Sequence, residues 1–304
     1  GVAATAEARG DDGSWTLAVQ DTLAPQETAK VRAKMVINAA GIWIDGVVRG
    51  VPGTTPHRRI IGTKSCHIVV RLPEECADYG IATINRVAEP FYCVPLRDLH
   101  YFGPTETVYE GDPDDVFATE EEIAWLIEEA NHLLPSHRIS RGDVLFSWAG
   151  VRPLTYDEAL PKGKRSREIY DYAKDGLHGV LAITAGPVMT HRSAGQELTA
   201  VVGRTLKPTR APRRISYAAR AFPRETNAPP LLTDRPEIRV SDFAYAAATE
   251  KAASLIDLMV RRTAISWSET MGYDAAETAA RAAAPALGWN ETRIQAEVAD
   301  YRAF

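Results

Sequence analysis

The sequence predicts an α+β protein in which an antiparallel sheet lies between a strand-rich first segment and an all-α C-terminal domain. Three observations carry this: period-two alternation of apolar residues in the first half, turn residues that cut it into short runs, and capped apolar stripes of helical spacing beyond residue 241. With 304 residues, 45% of them hydrophobic and 25% charged, the chain can bury the cores of about two domains.

Trp15, Leu17 and Val19 alternate on one side after the turn-forming residues 9–13, which predicts a hairpin. Residues 30–41 read as a further strand, with Val31, Ala33, Met35 and Ile37 on one face, that becomes small and apolar as it enters a buried sheet and stops at Gly41. From Ile60 onward the short runs 66–71, 91–95 and 100–103, divided by Pro, Gly and Asp, predict an antiparallel sheet. Thr119 and Glu122 carry a capping-box signal for a helix over 119–134, with Ile123, Leu126, Ile127 and Ala130 on its inner face and its acidic residues on the solvated one. Residues 144–154 form an apolar strand leading to a loop that carries Arg152, and the polar stretch 156–174 surrounds Arg165 and Arg167. Residues 180–190 read as strand, glycine turn and helix start, continued by the stripe Ala194, Leu198, Val201 and Val202.

Between Glu197 and Glu225 there is no acidic residue, while Arg204, Lys207, Arg210, Arg213 and Arg224 are basic and Pro208, Pro212 and Pro223 interrupt any helix, so 206–224 reads as a basic linker. Beyond it, Ser241 or Asp242 caps a helix to about Arg262, Asp274 with Glu277 signals a second, and Asn290 starts a third after Gly288.

A net charge of -5 disfavours nucleic acid as the main partner, because that partner demands a dominant basic face. The three cysteines, Cys66, Cys76 and Cys93, have neither C-x-x-C nor zinc spacing and read as reduced thiols, with no metal site. No apolar run approaches the ~20 residues of a membrane-spanning helix, and no basic-then-apolar leader opens the chain. The expectation is a cytoplasmic protein, with contact at the inner face of the plasma membrane as the added reading of the basic stretch.

Several short patterns carry chemistry. Asn38-Ala39-Ala40-Gly41 after a buried strand fits the close approach of a backbone to a cofactor, and also fits tight packing. Ala185-Gly186-Pro187 before a helix places unpaired N–H groups at a turn, which suits negative charge or an ordinary helix start. Arg152 and Arg167 fit a shared phosphate, and also fit surface salt bridges. His67 should face away from Ile68, and no Ser/His/Asp spacing supports nucleophilic catalysis.

Together these pieces resemble the FAD-dependent glycerol-3-phosphate dehydrogenase family across roughly residues 30–205. The family's V-N-A-x-G-x-W-V turn is matched by Val36-Ile37-Asn38-Ala39-Ala40-Gly41-Ile42-Trp43-Ile44, and its K-G-S-H-I-V-V strand by Lys64-Ser65-Cys66-His67-Ile68-Val69-Val70. Its I-G-T-T-D and Y-x-G-D-P segments are similar to Phe102-Gly103-Pro104-Thr105-Glu106 and Tyr109-Glu110-Gly111-Asp112-Pro113. Its S-G-V-R-P-L motif resembles Ala149-Gly150-Val151-Arg152-Pro153-Leu154, its T-R-D-Y resembles Ser166-Arg167-Glu168-Ile169, and its G-G-K-x-T-T-Y-R resembles the segment from Ala185 to Arg192.

The resemblance implies FAD as cofactor, a polyol phosphate such as glycerol 3-phosphate as substrate, and a quinone as electron acceptor. It implies that Val2, Ala40, Gly41, Gly186, Pro187, Val188, Met189 and Thr190 lie near FAD, that Arg152 and Arg167 hold the phosphate, and that His67 and Thr105 line or support the substrate pocket. It also divides the chain into a partial, Rossmann-like FAD-binding domain (1–45 and 176–205), a substrate-binding domain (46–175), the linker and a helical domain (225–304). Pro187 stands where the family has lysine and Pro104 where it has threonine, so another polyol phosphate, such as erythritol phosphate, is the alternative substrate.

No G-x-G-x-x-G follows a strand, and the sequence starts at Gly1 without Met. The expectation is a C-terminal portion that by itself neither holds FAD tightly nor turns over, with exposed strand edges that favour homo-oligomers. A non-catalytic binding or interaction module is the competing reading.

Overall fold

The computed structural model describes residues 1–51, 57–184, 186–211, 213 and 227–304. The chain opens on the antiparallel meander β1 (Val2–Arg9), β2 (Trp15–Asp21) and β3 (Thr28–Ala33). β2 carries Trp15 inward, and its indole Nε1 donates to the His178 carbonyl at 2.9 Å.

The strand expected over 30–41 is two strands in two sheets. β3 ends at Ala33, opposite Trp15; the chain then crosses to β4 (Val36–Asn38), whose Val36 N–H donates to the Gly179 carbonyl at 2.9 Å. β4 pairs in parallel with β13 (Val180–Ile183), which pairs antiparallel with β12 (Ile169–Asp171). The short helix α1 (Ile44–Arg49) follows β4 and buries Ile44 and Val48 with Trp15, Tyr172 and Val180. Ile37 is 39% exposed, so β4 is not the fully buried strand that its small residues suggested.

The middle of the chain forms a seven-stranded sheet in the order β11-β10-β5-β8-β7-β6, with β9 also on β5. Its strands are β5 (Ile60–Val70), β6 (Ile81–Ile84), β7 (Pro90–Leu96), β8 (Leu99–Gly103), β9 (Thr107–Val108), β10 (Val144–Asp157) and β11 (Leu160–Lys164). Cys66, Ile68 and Val70 of β5 point to one face, where they pack with Ile123, Leu126 and Ala130 of helix α2 (Glu120–Leu133). Thr119 caps α2 as expected: its side chain accepts from the Glu122 N–H, and Glu122 accepts from the Thr119 N–H at 2.9 Å. The acidic residues do not all take the solvated face. Glu129 is 2% exposed and accepts from Arg86 Nε at 2.6 Å, because a buried carboxylate needs a charged donor.

Helix α3 (His191–Leu206) follows a 3-10 turn over Val188–Thr190. Residues 212 and 214–224, most of the expected basic linker, lie outside the described residues, as does Ala185.

The C-terminal part is helical, preceded by a hairpin of β14 (Pro230–Leu232) and β15 (Arg235–Arg239) whose strands are too short to leave a period in the sequence. The single helix expected to Arg262 is interrupted. α4 (Val240–Thr249) ends before Lys251, at φ 55°, and a new helical segment starts where Asp257 Oδ2 accepts from the Ala253 N–H at 3.0 Å. α5 (Ala276–Leu287) lacks the expected cap, since Asp274 accepts from Thr270 and Glu277 pairs with Arg281. α6 (Glu291–Ala303) starts as expected, with Asn290 Oδ1 accepting from the Arg293 N–H at 2.9 Å. Among the described residues, no helix is long and apolar enough to cross a membrane.

The helical part docks on the sheet through a charge cluster. Asp98, in the β7–β8 turn, accepts from Arg71 at 2.9 Å and from Arg235 at 2.6 Å, and Arg71 also reaches Glu269 at 2.7 Å. Burial pushes the Asp98 carboxyl up, but hydrogen bonds from Arg71 and Arg235 outweigh it and hold the group below its ordinary 3.8. The stability this adds is complete above 3.8 and is lost as pH falls through the lowered folded value. Asp98→Asn should therefore unfold at a lower temperature than wild type at neutral pH, and the two melting curves should converge below pH 3.8. A gap that persists in acid would contradict this.

Candidate functional site

The loop after β4 is built by Asn38. Its side chain is buried, donates to the Ile44 carbonyl at 2.8 Å and accepts from the Ala40 N–H at 3.3 Å, which folds residues 38–44 back on themselves. Gly41 has φ 60°, a conformation glycine adopts without strain. Across from it, Thr190 Oγ1 donates to the Pro187 carbonyl at 2.8 Å and accepts from Arg167 Nη1 at 3.1 Å, closing the turn that leads into α3.

Between these two turns lies a cavity of about 320 Å³, lined by Ala39, Gly41, Gly186, Pro187, Val188 and Thr190 among others. The structure thus brings together most of the residues expected near a cofactor. Ala40 stands in the turn behind Gly41, and Val188 and Met189 lie at the other turn, 82% and 78% exposed. Val2 lies apart on β1, 70% exposed and opposite Asp21. The lining is mostly apolar, with Thr184, Thr190 and His191 as its polar members, and among its described residues holds no carboxylate, which suits a flat heteroaromatic ring.

Of the expected substrate residues, His67 and Arg152 lie on the face of the large sheet opposite α2. β5 and β10 pair in a register that sets His67 opposite Trp148, Ser65 opposite Gly150 and Thr63 opposite Arg152. Arg152 therefore projects from within a strand and not from a loop after it, and the strand backbone fixes its direction. Its Nη2 donates to Ser65 Oγ at 2.8 Å and to the Thr105 carbonyl at 3.3 Å, and its Nη1 lies 3.5 Å from Glu106. Burial lowers its pKa, which Glu106 partly offsets.

Arg165 also pairs with Glu106, so Arg152 and Arg165 are the two guanidiniums that share one carboxylate. Arg167, expected beside Arg152, is engaged elsewhere: it pairs with Glu197 of α3 and donates to Ser193 at 2.9 Å. The role of Arg165 was missed because spacing cannot say which of two nearby arginines turns back toward β10. Thr105 is buried, and its Oγ1 accepts from the Cys66 N–H at 2.8 Å, so it braces β5.

His67 stacks on Trp148, with ring centres 4.7 Å apart and planes 10° from parallel, and Tyr101 stands edge-on at 5.7 Å. A Cβ on Gly103 would come within 2.4 Å of the His67 ring, so glycine there makes room for the imidazole. Burial, with the Arg152 charge added, pushes His67 down to about 4, and the ring is neutral at pH 7. A Cβ on Gly41 would lie 3.9 Å from the side chain of Pro153, so the turn after β4 packs on β10 one residue beyond Arg152. Among the described residues, no group of three or more His, Cys, Asp or Glu is placed to hold a metal ion.

Fold and cavity define a class. Residues 2–192 match the family described as FAD dependent oxidoreductase (DAO), and the chain belongs to that family. Within it, the similar curated proteins are glycerol-3-phosphate dehydrogenases. One from Synechocystis is 33% identical over 191 residues, covering 59% of this chain and 34% of that protein. The aerobic enzyme of Staphylococcus aureus is 29% identical over 184 residues, covering 60% of this chain and 32% of that protein. The chain thus spans about a third of the length of the curated relatives it matches. The crystal structure of the glycerol-3-phosphate dehydrogenase of Bacillus halodurans complexed with FAD shares the fold over 99% of this chain and 68% of that one, with a TM-score of 0.73 at 20% identity.

His67 gives a direct test of this geometry. An NMR titration should show its ring protonating near pH 4. Because the unfolded chain takes up that proton near 6.5, stability should fall as pH drops from 6.5 toward 4, and His67→Gln should remove this slope. An ordinary midpoint would show a solvated ring.

Proposed function

We propose that this chain forms the substrate-binding and helical parts, and one wall of the cofactor site, of an FAD-dependent dehydrogenase that oxidises a polyol phosphate such as glycerol 3-phosphate and passes electrons to a quinone. The observation that carries the reading is a strand-fixed, half-buried Arg152 one residue along β10 from Pro153, against which Gly41 of the cavity lining packs. FAD, when bound, supplies the two-electron acceptor for oxidation of the alcohol to a ketone.

The chain's own residues do the rest. Arg152 and Arg165, now joined through Glu106, offer two guanidiniums to a phosphate, which matches their planar donors better than a single carboxylate does. His67, neutral and held flat by Trp148, takes the hydroxyl proton on a ring nitrogen. Thr105 and Ser65 fix Arg152, while Arg167 and Thr190 close the turn from Pro187 to Thr190, whose residues would border the cofactor. The domain division that goes with this reading assigns 1–45 and 176–205 to the cofactor, 46–175 to the substrate, 206–224 to a linker and 225–304 to the helical part.

In the FAD-loaded protein, Arg152→Ala should raise KM for glycerol 3-phosphate by about 100-fold, the factor for roughly 3 kcal/mol lost with a hydrogen-bonded charge. An unchanged KM would remove the phosphate role.

Pro187 favours a second reading within the same class. It lines the cavity and brings no cation there, which favours a polyol phosphate other than glycerol 3-phosphate. Kinetics on a panel of polyol phosphates should show a longer substrate such as erythritol phosphate to be preferred, and Pro187→Lys should shift the preference toward glycerol 3-phosphate. Clear wild-type preference for glycerol 3-phosphate would discard this second reading alone.

A further inference from the structure

We propose that Trp267, brought by the helical C-terminal part onto the open face of the large sheet, is a positioning residue for His67. The inference rests on the reading of His67 as a group that meets the substrate, and it adds a residue from a part of the chain that the site itself does not include.

Three rings stand in series. Trp267 meets Trp148 edge-on, with centres 5.1 Å apart and planes at 85°, and Trp148 lies flat on His67 at 4.7 Å and 10°. Tyr101 stands edge-on to Trp148 at 5.3 Å and to His67 at 5.7 Å, and Phe146 supports Trp267 at 6.3 Å. Edge-to-face geometry is the favoured arrangement of such rings, so the stack resists rotation of the central indole. Without Trp267, the outer edge of Trp148 would face water and its ring could turn.

Trp267 is anchored on both sides of its ring. It ends a 3-10 turn over Ile265–Trp267, in which Ile265 is fully buried in the helical core with Leu258 and Met259. Two residues further on, Glu269 is clamped to Arg71, the residue after β5, at 2.7 Å. The helical core and this ion pair grip the segment on either side of the indole, so docking of the helical part sets where the ring lies.

No ion pair does this work for His67. The titratable and charged groups that face it from neighbouring strands are Tyr101 of β8 and Arg152 of β10, neither of which can accept a proton from the ring at neutral pH. Its Nδ1 is buried without a hydrogen-bond partner. Ring packing is therefore what orients the imidazole and keeps water from it.

The test is NMR titration of His67 in Trp267→Ala and Trp267→Phe proteins, with no substrate present. The alanine variant should move the midpoint from about 4 toward the ordinary 6.5, by about one pH unit or more, and the phenylalanine variant should keep it near 4. In turnover by the FAD-loaded protein, Trp267→Ala should lower kcat about tenfold or more while KM, set by the untouched Arg152, changes less than about threefold. An unchanged His67 midpoint in folded Trp267→Ala protein would overturn the proposal. Should that variant fail to fold, Glu269→Gln removes the ion pair that holds the Trp267 segment on the sheet while keeping every aromatic side chain; a smaller rise of the midpoint supports the proposal, and none overturns it. A raised midpoint in a protein that turns over no polyol phosphate would leave the Trp267–His67 coupling standing and discard the substrate reading.

Discussion

Strand β5 pairs with β10 from Ile60 opposite Thr155 to Val70 opposite Val144, and this register sorts the middle of the molecule into two faces. One face supplies Cys66, Ile68 and Val70 to the core under α2; the other presents Ser65, His67, Trp148 and Arg152 together. Because side chains alternate with a period of two, a slip of one residue would send the charged face into the core and the apolar face to the site. Burial under α2 and placement of the candidate chemistry are thus one constraint. The turn at Gly41 reaches β10 through Pro153, and the helical part reaches the same strand through Trp267 against Trp148.

Charges inside this frame are kept in pairs. Lys64, though on the α2 side, donates to Glu122 at 2.7 Å, and the same carboxylate closes the cap of α2 through the Thr119 N–H, so one group ties helix start to strand. Glu129 is held by Arg86, and Glu106 lies between Arg152 and Arg165. The last arrangement differs from the others in having two cations for one anion, an imbalance that a dianionic phosphate answers better than a carboxylate. Burial also pushes the Cys66 thiol up to about 11, so that cysteine behaves as an apolar core residue beside this network.

Elements with a strong local signal are legible in the sequence alone. The Thr119–Glu122 capping box, the Asn290 cap after Gly288 and the alternation of β2 each rest on contacts within a few residues, or on a period that one strand suffices to show, whereas β5 starts at Ile60, six residues before the run expected at 66–71. The places where reading the sequence went astray have other causes. The split of residues 30–41 is decided by where β3 runs out of partner at Trp15, the break after α4 by Asp257 starting a competing segment, and the burial of Glu129 by an arginine far away in the chain. In the first and last of these a distant partner outweighs the local preference, and in the second a cap only four residues away starts a new segment.

The candidate site divides in the same way. The sequence by itself determined the two small-residue turns and the placement of His67 on the side of its strand away from Ile68, because periodicity and turn chemistry are written in neighbouring residues. Only the tertiary structure decided that Arg165 and not Arg167 meets Arg152, that Gly41 lies against Pro153, and that Trp267 closes the aromatic stack over His67. These are contacts between segments far apart in the chain, set by sheet register and by the docking of the helical part, and no local pattern encodes which of several equivalent side chains will arrive.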